Sequence, residues 1–159
     1  MRILKKGFTL IELLVVVAII GLLAAITLGY LESARSKGAD TAIKSNLVTM
    51  RAVSEVFYLD NSNLYLPAGG STFSIATCPV YNGSGTNMLS KNKTIADAIA
   101  EAVKRGNGSA CYNSGNAWAV AVGLKLNPNT SWCVDNVGSS KQVNSLPSSA
   151  INTLTFACN

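Results

Sequence analysis

The sequence predicts an α+β fold: one long N-terminal helix and a small head built on an antiparallel sheet. Three observations predict it. The chain is apolar from Phe8 to Tyr30 with Glu12 as its one formal charge, and it contains no Pro as far as Asp60. From Trp118 to Leu126, Trp118, Val120, Val122, Leu124 and Leu126 alternate with Ala119, Ala121, Gly123 and Lys125, the period of a strand with one face in a core. Four cysteines, Cys78, Cys111, Cys133 and Cys158, all lie beyond the helical stretch, where an oxidising exterior lets a small head staple itself.

The N-terminus comes first. An ordinary secretory signal places its cleavage site after its apolar stretch. Here the residues that suit cleavage, Lys5-Lys6-Gly7 before Phe8, precede it. A cut after Gly7 removes the basic leader, keeps the helix, and leaves Phe8 as a new N-terminus with Glu12 four residues on. The run from Phe8 to Leu31 is long enough to span a bilayer, since about 20 residues at 1.5 Å each cross the hydrocarbon core. Lys5 and Lys6 in front of it hold the leader on the cytoplasmic side and place the rest of the chain outside. A charge at the centre of a membrane helix costs about 2.5–3.5 kcal/mol, and less near a helix end. Glu12 reads either as a carboxylate tolerated near the interface or as the partner of a neighbouring subunit's Phe8 ammonium. In a poorly solvated core an unpaired charge is penalised, so the second reading makes Glu12 a device that fixes axial register.

The segment Lys6-Gly7-Phe8-Thr9-Leu10-Ile11-Glu12 and the apolar run that follows it to Gly21 resemble the prepilin signature of type IV pilins and type II secretion pseudopilins. The resemblance covers roughly the first third of the chain. It implies a pilin-like fold, cleavage after Gly7 by a membrane aspartic prepilin peptidase, and N-methylation of the Phe8 amine. It also implies a single-pass membrane protein with a cytoplasmic leader and an external head. Inner-membrane lipid surrounds the helix until membrane machinery assembles the subunit, through Phe8 and Glu12, into a helical homo-filament outside the cell or in the periplasm. Many members of the family carry Pro where this chain has Gly29, so a Pro kink is not carried over.

Helical character continues past the span. Ile43, Leu47, Met50, Ser54 and Phe57 recur at spacings of four, three, four and three, one face of an amphipathic helix. Arg35, Lys37, Lys44 and Arg51 fall mostly off that stripe, which reads as packing against the head. From Phe8 to about Leu59 such a helix is roughly 75 Å long. A head of this size cannot cover it, so it needs lipid or other subunits. The expected organisation is leader 1–7, membrane and filament-core helix 8–31, amphipathic continuation 32–60 and head 61–159.

In the head, Pro67 and Gly69-Gly70 end the helix and open an irregular segment through about Ser90, with Asn82-Gly83-Ser84-Gly85 as a further loop. A short helix is expected from about Thr94 to Arg105, with Thr94 and Asp97 as a capping box. Ile95, Ile99 and Val103 mark its buried side, and Lys104 and Arg105 suit its C-terminal dipole. Gly106 is its stop signal. The strand from Trp118 to Leu126 turns at Asn127-Pro128-Asn129-Thr130 into a second strand, Ser131 to Asp135, and Thr153 to Cys158 reads as a third. Four cysteines allow three pairings. The favoured pairing is Cys78–Cys111 with Cys133–Cys158; in that hairpin Cys133 falls opposite about Leu124 and Cys111 lies far along the ladder, which disfavours Cys111–Cys133. A zinc site would want CxxC or His, and the chain has neither; neither metal nor other cofactor is expected.

The 159 residues carry a net charge of +5. Losing Arg2, Lys5 and Lys6 leaves 10 basic against 8 acidic side chains, +2, so composition does not imply strong non-specific nucleic-acid binding. The absence of His excludes His-based triads. Asp97 and Glu101 read as a solvated helix face, Asp135 as a turn residue. Gly69-Gly70 and Gly83-Ser84-Gly85 lack the strand–turn–helix setting of a phosphate loop. The chain therefore reads as non-enzymatic. Asn82-Gly83-Ser84, Asn92-Lys93-Thr94 and Asn107-Gly108-Ser109 match a glycosylation sequon, a pattern too short to carry weight. Three functions fit: a pilus subunit, a pseudopilin of a secretion or competence system, and a membrane-anchored minor pilin whose head binds DNA or a surface.

Overall fold

The computed structural model describes residues 7–159; the expected leader residues Arg2, Lys5 and Lys6 lie outside the described residues. Among these, the chain forms four helices and five strands, in the order α1 (Leu10–Asp60), β1 (Phe73–Ala76), α2 (Met88–Lys91), α3 (Lys93–Arg105), β2 (Ser109–Asn113), β3 (Trp118–Gly123), β4 (Ser131–Asp135), β5 (Ser140–Val143) and α4 (Pro147–Ala150). It divides into a unit ending at Arg35 and a unit from Ser36 to Asn159.

The first unit is the apolar part of α1. Leu, Ile and Ala keep it helical, and Gly21 and Gly29 each weaken it by about 1 kcal/mol relative to Ala without interrupting it. Its large apolar side chains are exposed throughout.

The second unit is the head. Its part of α1 buries Asp40, Ile43, Leu47, Met50, Ser54 and Phe57, the stripe read from the spacing plus one carboxylate. Ser54 is accommodated because its hydroxyl donates to the Met50 carbonyl at 2.9 Å. The sheet is an antiparallel meander in the order β1-β2-β3-β4-β5. Central strand β3 is buried on both faces. Trp118, Val120 and Val122 join the core under α1 and α3. Ala119 and Ala121 face a second cluster with Ala110, Cys133, Ala150, Ile151 and Cys158. Large residues fill the space under the helices; alanines let the C-terminal segment come close on the other side.

Several sequence expectations change. β3 ends at Gly123, not Leu126, and Cys133 lies opposite Ala121 rather than Leu124. The cause is Asp40, whose carboxylate accepts the Lys125 and Leu126 N–H groups and draws the chain off the ladder. The Leu124 N–H then closes the loop on the Thr130 carbonyl at 2.9 Å. Thr153 to Cys158 is a turn with a single bridge, Ile151 to Cys158, because Asn152 Oδ1 accepts the Leu154 and Thr155 N–H groups at 2.9 and 3.0 Å, an Asx-type alternative to strand pairing.

α3 starts at Lys93 and is capped by Asn92, whose Oδ1 accepts the Ile95 N–H at 3.1 Å. No Thr94–Asp97 box forms: Asn is the stronger cap, and Asp97 pairs instead with Lys93 at 2.6 Å. Ile95 and Ile99 are buried and Val103 partly so. Gly106 caps α3 at an ordinary φ of −97°. It is needed for closeness instead, since a Cβ there would lie 2.5 Å from the Gly123 carbonyl oxygen. The segment expected to be irregular through Ser90 contains β1 and α2.

Candidate processing and assembly site

The chain enters α1 through Gly7, Phe8 and Thr9. Thr9 Oγ1 accepts the Glu12 N–H at 3.3 Å. In return Glu12 Oε2 accepts the Thr9 N–H at 2.9 Å and the Thr9 hydroxyl at 2.7 Å. This is a reciprocal capping box, which satisfies donors that a helix start otherwise leaves open. The sequence reading gave Glu12 either a tolerated place near the interface or an inter-subunit role and missed the cap, although Thr9-Leu10-Ile11-Glu12 carries the box spacing. Both contacts fall on Oε2; among the described residues Oε1 takes no donor. Glu12 therefore closes its own helix end through one oxygen, and the other is left without a donor among the described residues.

Around this polar knot the surface is apolar. Phe8 is 77% exposed and Leu10 81%, and α1 carries a stretch long and apolar enough to cross a membrane by length and composition. Gly7 meets nothing within 4 Å of where a Cβ would stand, among the described residues. Packing among the described residues therefore does not require glycine at this position.

The four cysteines form Cys78–Cys111 and Cys133–Cys158. The elimination offered from sequence rested on the wrong distance. Cys111 pairs with Val120 and Cys133 with Ala121, so they stand nearly level on either side of β3. What separates them is the pleat: Cys111 joins the helix-side core and Cys133 the opposite cluster. With all four sulfurs bridged, none is available to a metal, and no group of three candidate ligands gathers among the described residues.

Asp135 does more than serve a turn. It is fully buried. Its Oδ1 accepts the Val137 and Ser139 N–H groups at 3.1 and 2.8 Å, and its Oδ2 accepts the Cys158 N–H at 2.9 Å, so one carboxylate holds both the β4–β5 turn and the C-terminal segment. Asp97 and Glu101 pair with Lys93 and Arg105 on an exposed face of α3. Tyr65 donates to Glu55 Oε1 at 3.1 Å, and burial, with the Glu55 charge second, pushes its pKa up to about 12. The sequon asparagines are engaged locally: Asn82 Oδ1 accepts the Ser84 N–H, Asn92 caps α3, and Asn107 donates to the Leu124 carbonyl.

The comparisons with known proteins converge on the same end of the chain. The family model described as the prokaryotic N-terminal methylation motif matches residues 3–28. The chain is 35% identical over 122 residues to the Type IV major fimbrial protein FimA of Dichelobacter nodosus, covering 69% of this chain and 78% of that protein. It is 43% identical over 58 residues to the Type IV wide pilus major component PilA4 of Thermus thermophilus, 36% of this chain and 44% of that one. It is 34% identical over 58 residues to the Type II secretion system core protein G of Klebsiella pneumoniae, 36% of this chain and 41% of that one. No solved structure matches at a significant level.

Proposed function

The chain belongs to the type IV pilin family, and from that premise we propose that it is the structural subunit of a type IV pilus-like filament. It enters the membrane as a prepilin with its leader cytoplasmic. Prepilin peptidase cuts after Gly7, the Phe8 amine is methylated, and the subunit assembles through residues 8–31. The observation that carries this reading over the pseudopilin one is extent. Similarity to the fimbrial protein runs over 122 residues, more than the leader and α1 together, so it reaches into the head. Similarity to the secretion protein runs over 58.

The site supports the chemistry. Since packing among the described residues does not require glycine at position 7, its smallness serves whatever grips the backbone there, as a peptidase must. Cleavage creates an ammonium at Phe8. Glu12, held by Thr9 through one oxygen, presents the other to the ammonium of the next subunit.

Terminal sequencing of the mature protein and electron microscopy of cells with and without it test the proposal. The expected result is a methylated Phe8 terminus and surface filaments that vanish on deletion. A Gly7→Leu variant should keep its leader. Surface filaments that persist on deletion, with the protein of the parent strain confined to short periplasmic fibres, would place the chain with the pseudopilins instead.

A further inference from the structure

The head contains the same tripeptide twice, Asn82-Gly83-Ser84 and Asn107-Gly108-Ser109. An asparagine followed by glycine is open to attack on its own side chain. The glycine nitrogen can reach the asparagine Cγ and close a five-membered ring, because no Cβ on the glycine hinders the approach. By sequence the two pairs are alike. The fold treats them differently.

Asn82 lies in an exposed run, 81–84, between β1 and α2. Its backbone is held on both sides. The Asn82 N–H donates to the Ser90 carbonyl at 2.7 Å, and the Asn82 carbonyl accepts the Gly85 N–H at 2.7 Å. Gly83 and Ser84 form the tip of that turn. The Ser84 N–H donates to Asn82 Oδ1 at 3.1 Å. That donor stands where negative charge gathers when Cγ becomes tetrahedral. Among the described residues the Gly83 N–H meets no acceptor, and Asn82 Nδ2 has no partner. The nucleophile can lose its proton, and the leaving group is not held.

Asn107 is built the other way. Its Nδ2 donates to the Leu124 carbonyl at 2.8 Å. Its N–H donates to the Gly123 carbonyl at 2.9 Å, and the Gly108 carbonyl accepts the Gly123 N–H at 3.1 Å. The approach is so close that a Cβ on Gly123 would collide with the Asn107 carbonyl oxygen. Gly108 sits in the left-handed region, at a φ of 78°. To bring its Cγ to the Gly108 nitrogen, Asn107 must first break its bond to Leu124. A carboxylate in its place would face that carbonyl oxygen.

We propose that Asn82-Gly83 is a self-modifying site: on the folded head it converts without an enzyme to aspartate and iso-aspartate, while Asn107 is protected. The Gly83 nitrogen gives its proton to hydroxide and bonds to Asn82 Cγ. The Cγ–Nδ2 bond breaks, and Nδ2 leaves as ammonia after taking a proton from water. Water then opens the cyclic imide. Cleavage of the new N–Cγ bond yields aspartate at position 82. Cleavage of the original peptide bond to Gly83 leaves the main chain running through Cγ. No oxidant or reductant takes part. Either product adds one negative charge, which takes the mature side-chain balance from +2 to +1. Aspartate keeps the turn, since a carboxylate accepts the Ser84 N–H more strongly than an amide does. The iso form lengthens the main chain by one carbon and undoes the contact between Asn82 and Gly85. Old and new copies of the chain would then differ in charge and shape at this loop.

The test incubates the mature full chain, disulfides intact, in detergent micelles at mildly alkaline pH in heavy-oxygen water. Samples are digested at acid pH, and mass spectrometry with electron-transfer fragmentation separates Asn, Asp and iso-Asp in each peptide. The expected result is steady conversion of Asn82, faster as the pH rises, with one heavy oxygen gained per event. Asn107 should convert about tenfold more slowly, the rate equivalent of one hydrogen bond that must open first. In the reduced chain unfolded in guanidinium chloride, the two should convert at similar rates. A Cβ at position 83 would meet only the end of the Tyr81 side chain, its hydroxyl at 3.2 Å, so Gly83→Ala keeps the turn and should slow Asn82 severalfold. Equal rates for Asn82 and Asn107 in the folded chain would overturn the inference. So would an Asn82 that stays intact while the unfolded chain converts. A preference for Asn82 that persists in guanidinium chloride would assign the difference to local sequence and overturn the role given to the fold.

Discussion

Glu12 shows how much one residue can carry. Its carboxylate closes the capping box with Thr9 and, in the filament proposed, neutralises a neighbour's ammonium. Glu12→Val should leave cleavage and membrane content unchanged, because a more apolar helix inserts at least as well. It should abolish filaments, since the incoming Phe8 ammonium is then buried unpaired at a cost of several kcal/mol. Glu12→Asp should be intermediate. Following leader removal, membrane content and filament yield in the same cells checks this, and wild-type filament yield from Glu12→Val would show that apolar packing alone suffices. Asp135 is the head's counterpart. Asp135→Ala strands the buried Cys158 N–H at about 1–3 kcal/mol and frees the part-buried Val137 and Ser139 N–H groups, so the head should lose about 1–3 kcal/mol in urea unfolding. Tyr65 supplies a pH dependence. Its pKa rises from 10.0 to about 12 on folding, so its contribution is complete below pH 10 and is lost as the pH climbs through 12, where the unfolded chain is already ionised. Thermal unfolding at pH 9 and 11 should show that loss, and Tyr65→Phe should reduce it.

At the scale of elements, the two disulfides differ in what they secure. Cys133–Cys158 fastens to β4 a C-terminal segment whose single β-bridge, Ile151 to Cys158, is internal to it. Replacing both cysteines by serine should cost about 2–5 kcal/mol and expose the Ala119–Ala121 face to solvent, read as faster hydrogen exchange in β3. Unchanged exchange would mean that Asp135 alone holds the segment. The elements also differ in how legible they were. The buried stripe of α1 was plain in the sequence because no Pro interrupts it and its apolar spacing is helical. β1, β2 and β5 were not, because Ser109-Ala110-Cys111-Tyr112-Asn113 or Ser140-Lys141-Gln142-Val143 is extended by virtue of the strand beside it, a context effect that local propensity does not report. Thr153 to Cys158 looked like a strand until the Asn152 side chain claimed its N–H groups. Of the candidate site, Gly7, Phe8 and Glu12 were readable from composition and order, whereas the Thr9 partnership needed attention to capping as well as to charge.

For the whole molecule, the two units answer to different solvents. Residues 7–35 leave their large apolar side chains exposed, while the head buries its own core. A chain beginning at Ser36 should stay soluble and monomeric with both disulfides formed, and the mature full chain should require detergent or lipid. Gel filtration of the two with thiol counting checks this; aggregation of the shorter chain would mean that the head depends on the apolar helix for its fold.

The way the C-terminal segment is held has a consequence for how this protein can change over generations. Asn152 reaches the backbone of Leu154 and Thr155, Asp135 reaches the backbone of Cys158, and the disulfide uses only Cys158. None of these fastenings reads the side chains of Thr153, Leu154 or Thr155, which are exposed. Those three positions form a display whose lettering can be rewritten while its frame stays bolted in place. A lineage under pressure to alter its outward appearance could do so there, one substitution at a time, without ever passing through a poorly folded ancestor.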